Sequence, residues 1–277
     1  MLYRQGLSIQ NRAMRIGVVD SGVGGFSVLA ELYKMMPAEH YFYLSDQENA
    51  PYGNKETSFL KERLHLLTQE LLKEKVDLIV VACHTATAEA IESLRANFEI
   101  PFVGIEPYLN VLNQRQSPNE DYVVLVTETT ARSKRFLDLK GRLDPTSLIN
   151  IFACKKLASL IESYFHDEMT KGDFEVELKA ELELIHNLKL SQPSLSSAIL
   201  GCTHYPLVMR QIEAATGLKT LFPGEAIARR TKERLLSLFA YSAPIDSSTN
   251  GFSYRRKVTD PWQHRPWNYL QKVSLIG

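Results

Sequence analysis

Short apolar runs alternate along this chain with longer stretches in which apolar residues recur at helical spacing. The first run, 15–20 (RIGVVD), reads as a buried strand that feeds a Gly-rich turn, and the helical spacing over 26–36 stops at Pro37. Residues 40–45 (HYFYLS) form the next strand-like run. Leucines at 60, 64, 67 and 71 make 56–75 an amphipathic helix. Segment 77–82 (DLIVVA) is a buried strand, 85–97 a helix and 101–105 extended. The polar stretch 114–121 (QRQSPNED) marks a boundary, after which the pattern restarts. Strands are expected over 122–126 and 147–152, with helices over 132–141, 155–166 and 173–186. A loop over 191–197 leads to a strand end at 198–201 and a helix over 206–215 that opens on a proline, where proline is tolerated. The last long helix covers 224–240. Beyond it, 242–250 reads as a loop and 252–259 as an edge strand, and Trp262 and Trp267 are expected to pack against the body.

Strands alternating with helices define an α/β protein with mostly parallel sheets. The restart after 121 divides it into two similar halves. In each half a strand runs into a cysteine, a polar residue and a helix: VVACHTATAEA at 80–90 and ILGCTHYPLVM at 199–209. The likeness is coarse, and it points to pseudo-symmetry.

Composition narrows the function. At 44% hydrophobic and 23% charged residues, the chain can build a core without disulfides or metal. Lys+Arg and Asp+Glu are equal at 32 each, which argues against a nucleic-acid partner. No run approaches the roughly 18 apolar residues of a membrane span. The opening MLYRQGLSIQNRAMR lacks the apolar middle of a signal peptide, so 1–14 reads as a flexible extension and the cytoplasm as the location. Three widely spaced cysteines, Cys83, Cys154 and Cys202, do not make a disulfide framework. Free thiols are either core residues or reactive groups.

The chemistry collects at strand ends, where open α/β sheets bind ligands. One strand ends in Asp20-Ser21-Gly22, another in Cys83-His84-Thr85 and a third in Cys202-Thr203-His204. The glycines of DSGVGGFS (20–27) fit a tight strand-to-helix turn. That segment is neither a dinucleotide fingerprint nor a phosphate-binding loop. Helix N-termini and imidazolium groups lower thiol pKa values. Racemisation at an amino-acid α-carbon needs a base on one face and an acid on the other, and two matched thiols supply both. Two other readings stay open: a Cys₂His₂ metal set of Cys83, His84, Cys202 and His204, whose spacing is poor for zinc, and one cysteine acting as a covalent nucleophile.

IGVVDSGVGGFSVL (16–29), NAPYG (49–53), VVACHTATAEA (80–90), TETTARS (127–133), ILGCTHYPL (199–207) and PGEAIARR (223–230) resemble the motifs of glutamate racemases, in the cofactor-independent aspartate/glutamate racemase family. The likeness runs through most of 15–230. It implies two α/β domains facing each other across an active-site cleft, one of 1–107 plus 222–277 and the other of 108–221. It implies interconversion of L- and D-glutamate for peptidoglycan, without pyridoxal phosphate or metal, and a homodimer is common among such enzymes. By resemblance Cys83 and Cys202 transfer protons, Asp20 assists Cys83, His204 assists Cys202, and Glu162 is an acidic residue near the second thiol. Ser21, Pro51, Tyr52, Gly53, His84, Thr85, Thr127, Thr130 and Thr203 fall where the family contacts substrate. Each has a plainer alternative. Asp20 can cap a helix, Tyr52 can be a packed turn residue, His204 a structural histidine and Glu162 a solvated helix carboxylate.

Three departures stand out. The family usually has Cys-Asn-Thr where this chain has Cys83-His84-Thr85, and a histidine can carry charge near pH 7. SDQENAPYG (45–53) lacks the arginine usual in its second motif, and Phe222-Pro223 replaces the usual Asp-Ser. These changes leave two alternatives beside glutamate: a racemase for aspartate or another amino acid, and a binding protein on the same fold.

Overall fold

Strand β1 (Arg15–Asp20) is buried along all but its first residue, and it pairs in parallel with a neighbour on each side. The neighbours are β2 (His40–Ser45) and β3 (Leu78–Val81), both rich in apolar side chains, as strands covered on two faces must be. Helix α1 (Phe26–Met35) makes the crossover from β1 to β2, and α2 (Thr57–Lys73) that from β2 to β3. Helix α3 (His84–Asn97) leads on to β4 (Phe102–Gly104). The computed structural model describes residues 12–114, 120–239 and 249–270. The second sheet comprises β5 (Asp121–Thr127), β6 (Ile149–Cys154), β7 (Leu195–Leu200) and β8 (Lys219–Leu221). Between these strands lie α4 (Glu128–Arg132), α5 (Lys134–Leu143), α6 (Leu157–Phe165), α7 (Lys171–Ser191) and α8 (Met209–Thr216). Helix α9 (Gly224–Leu238) then packs against α1, and β9 (Gly251–Arg255) and β10 (Gln263–Pro266) join the first sheet.

The sheet orders are β10-β9-β2-β1-β3-β4 and β6-β5-β7-β8. Every pairing is parallel except β9 with β10. In the first sheet the chain leaves β1 in one direction to β2 and in the other to β3; in the second it does the same around β5, with β6 and β7. These are the switch points at which such sheets open a crevice. The largest apolar cluster joins both sheets, running from Ile16, Leu78 and Ile105 to Leu125, Leu200 and Tyr205.

Several expectations change in detail. The helix expected over 132–141 is two helices broken at Ser133, whose hydroxyl caps α5 by accepting the Phe136 N–H at 3.2 Å. The loop expected over 191–197 ends early, because β7 begins to pair with β5 at Leu195 across a register shift. Pro206 lies in a 3₁₀ turn (Tyr205–Val208) that precedes α8. Strand β9 is interior rather than an edge, since β10 covers its outer side. Residues 1–11 of the expected extension lie outside the described residues, as do 115–119 of the polar boundary, residue 240 of the last expected helix and 242–248 of the loop before the tail. Arg12 and Met14 are tied down, the first by an ion pair with Asp77 and the second by burial in the core. Trp267 stacks on Tyr33 and Trp262 meets the edge of Phe42. No helix among the described residues is long and apolar enough to cross a membrane.

Candidate active site

The two switch points deliver the cysteines to facing edges. Cys83 follows β3 as the N-cap of α3, where its sulfur accepts the Ala86 N–H at 3.5 Å. Cys202 follows β7, and its sulfur lies 3.5 Å from His204 Nδ1. Each cysteine is 6% exposed. Burial pushes the Cys83 thiol well above its ordinary pKa; the charge of Asp20 adds to this, as does the nearby Cys202, while the Ala86 N–H and the Ser21 hydroxyl oppose it. The expectation of a thiol activated by its helix and a neighbouring imidazolium is therefore wrong in sign for Cys83.

His84 gives the reason for part of that difference. Its ring is 2% exposed and neither nitrogen has a hydrogen-bond partner among the described residues, so burial drives its pKa down to about 3. It is neutral at pH 7, so the charge that a histidine can carry there is absent. It shares a small cavity with Thr87, Ile105, Thr130, Phe136 and Leu139.

On the Cys202 side a relay is in place. His204 Nε2 meets Glu162 Oε1 at 2.5 Å. The same oxygen accepts the Val23 N–H at 2.8 Å, and Oε2 accepts the Gln47 carboxamide at 2.7 Å. Burial works against charge on both partners. For Glu162 the attraction of His204, together with hydrogen bonds from His166, His204 and Gln47, outweighs it and holds that carboxylate below the ordinary range. Glu162, helped by the Cys202 sulfur, outweighs it for His204 and holds that imidazole well above its ordinary value. Glu162 is thus a buried ion-pair partner and not a solvated helix carboxylate.

The two sides are also linked. Asp20 accepts the Gly22 N–H at 3.0 Å and the Thr203 hydroxyl at 3.1 Å, and burial raises its pKa. The acid beside one thiol is therefore held by the residue next to the other. A Cβ on Gly22 would stand 1.7 Å from Glu162 Oε1, and one on Gly24 2.6 Å from His204 Nδ1. The Gly-rich turn is bare so that the second half can approach it. Where the halves meet, the hydroxyls of Thr85, Thr127 and Thr130 form a triangle of 2.9, 3.0 and 3.2 Å contacts. The Gly53 carbonyl accepts the Thr129 hydroxyl, and a Cβ on Gly53 would press on Thr127. Tyr52, next to Pro51, is buried with its hydroxyl donated to Asp46, which also holds Arg63. Its polar end belongs to that network. Asp46, Gln47 and Val23 lie inside the motifs 45–53 and 16–29, but those motifs assign them no role, and Arg63 lies outside any motif. Cys154 is a buried thiol beside the Tyr205 hydroxyl. Among the described residues no three His, Cys, Asp or Glu side chains converge as metal ligands.

Two mostly parallel sheets flanked by helices, each carrying a thiol at its switch point, have the architecture of amino-acid racemases. The family model described as Asp/Glu/hydantoin racemase matches residues 27–231. This chain belongs to that family. It is 34% identical over 273 residues to the glutamate racemase of Lysinibacillus sphaericus, covering 94% of this chain and 98% of the relative. It is also 34% identical to that of Aliarcobacter butzleri, over 81% and 84% of the two chains. Among solved structures, the Escherichia coli glutamate racemase bound to L-glutamate and the activator UDP-MurNAc-Ala superposes with a TM-score of 0.73 at 28% identity, over 88% of each chain. The Campylobacter jejuni glutamate racemase gives 0.71 at 25% identity, over 95% of this chain.

Proposed function

We propose that this protein interconverts L- and D-glutamate, with Cys83 and Cys202 on opposite faces of the α-carbon. The observation that carries this reading is that each buried thiol has its own ionisable neighbour: the charge of Asp20 bears on Cys83, and the His204–Glu162 pair meets Cys202. One sulfur, as thiolate, removes the α-proton while the other, as thiol, delivers a proton to the opposite face. The direction reverses with the enantiomer bound. A raised pKa makes Asp20 a better base toward a thiol, and the raised pKa of His204 keeps it an imidazolium whose Nδ1–H faces the Cys202 sulfur and favours its thiolate. Neutral, unpartnered His84 and the three threonine hydroxyls offer polar contacts to the substrate. Family likeness supports a homodimer in the cytoplasm that supplies D-glutamate to peptidoglycan.

The test is circular dichroism of L- and of D-glutamate incubated with the protein and no added cofactor. Both signals should decay to the racemic baseline. Persistence of both, with decay of another amino acid's signal, would reassign the substrate. Cys83→Ser and Cys202→Ser should each abolish racemisation, while each retains α-proton exchange with solvent for one enantiomer only. Exchange by neither would remove the two-thiol assignment.

A further inference from the structure

Glu162 is held from both halves of the molecule. His204 reaches it from the second sheet's side, whereas Val23 and Gln47 reach it from the first. Gln47 opens the 3₁₀ turn Gln47–Asn49 directly after β2, and Glu162 lies 115 residues away on α6. A carboxylate only accepts hydrogen bonds, so the Gln47 side chain must present its nitrogen to it. The other end of that side chain, Oε1, is buried without a partner among the described residues, so the bond to Glu162 is what orients the carboxamide. The turn that carries it is rigid: Asp46 is clamped by Arg63, Tyr52 and Asn49. With Oε2 held by Gln47, the carboxylate cannot rotate, and Oε1 stays on His204.

We propose that Gln47 is a positioning residue for the Cys202 side of the site. It acts through Glu162 and His204, and its hydrogen bond forms only when the two halves close. Docking of residues 46–53 against the second half, through Gln47 on Glu162 and Gly53 on Thr129, and orienting the Cys202 relay are then one event. The inference rests on the racemase reading for its catalytic consequence and on the geometry alone for the contact.

Two substitutions test it. Gln47→Leu keeps the volume and removes the donor, and kcat/KM should fall about 10- to 100-fold, the range for a hydrogen bond to a charged group. Gln47→Glu places a second carboxylate against Glu162, which His204 and His166 already face and whose charge Asp20, Tyr43 and Tyr254 feel. At pH 8 it should be no more active than Gln47→Leu. As the pH falls toward 5 the introduced carboxyl takes up a proton and becomes a donor, so its activity relative to Gln47→Leu should climb at least fivefold. A merely structural role leaves that ratio flat, and a flat ratio would overturn the proposal. Amide hydrogen exchange reads the contact without turnover. Gln47→Leu should speed exchange in 20–27, 46–54 and 156–166 and leave α8 unchanged. Unchanged exchange in all three segments would likewise overturn it. Because this readout needs no substrate, it decides the role of Gln47 even if glutamate is not turned over, a result that would fall on the racemase reading alone.

Discussion

Burying Glu162 and His204 as a pair sets how the protein answers to pH. The Glu162 pKa is lowered on folding, so its contribution to stability is complete above its ordinary 4.5 and is lost as pH falls. The His204 pKa is raised, so its contribution is complete below its ordinary 6.5 and is lost as pH rises through the folded value. Both contributions are whole only between about pH 4.5 and 6.5. Glu162→Gln should therefore cost most in that window, about 3–5 kcal/mol for breaking a buried pair, and less on either side. A series of thermal unfolding curves across pH checks this. His84 predicts the opposite sign. Its unpartnered ring is a burden of about 1–3 kcal/mol, so His84→Leu should raise stability by about 1 kcal/mol in urea titrations while raising KM for glutamate. The two thiols, Asp20 and His204 are legible in the sequence because short motifs carry them at strand ends. Gln47 is not, because its only mark is a hydrogen bond across 115 positions. Glu162 reads equally well as a surface carboxylate until α6 is seen to turn it inward.

The β1–α1 turn shows what an element contributes beyond its own residues. Gly22 and Gly24 are bare where Glu162 and His204 press in from the other half. Gly22→Ala should leave the fold intact and displace the Glu162 carboxylate. It should lower kcat about 10²-fold, as a displacement of about 1 Å does in positioned sites, with little change in far-ultraviolet circular dichroism. The strand cores are readable from apolar runs, since buried parallel strands are nearly continuous in Val, Ile and Leu. Their limits are set by partners the local sequence does not contain. Ser133 splits one expected helix by capping the next. β7 begins at Leu195 because β5 is there to pair with it, and β9 is interior only because β10 returns beside it.

At the scale of the molecule, every proposed proton-transfer group is sealed, with Cys83 and Cys202 at 6% exposure and Glu162 at 7%. Glutamate can reach them only if the halves part along the seam of Thr85, Thr127 and Glu162, turning about the apolar cluster both sheets share. Solution scattering should show a larger radius of gyration without ligand than with saturating glutamate, and equal values would count against closure. The α/β class and the restart after residue 121 are visible in the sequence, but the depth of the seal is not, because it depends on how closely two bare turns meet. That seal carries a consequence for turnover. A proton taken from the substrate onto a shut-in sulfur cannot trade with water until the molecule opens. On the proposed mechanism, each product therefore leaves behind a protein charged for the reverse direction, one that remembers which hand it last held. At high concentrations of a single enantiomer, the pace would pass from carbon chemistry to the resetting of two thiols by water.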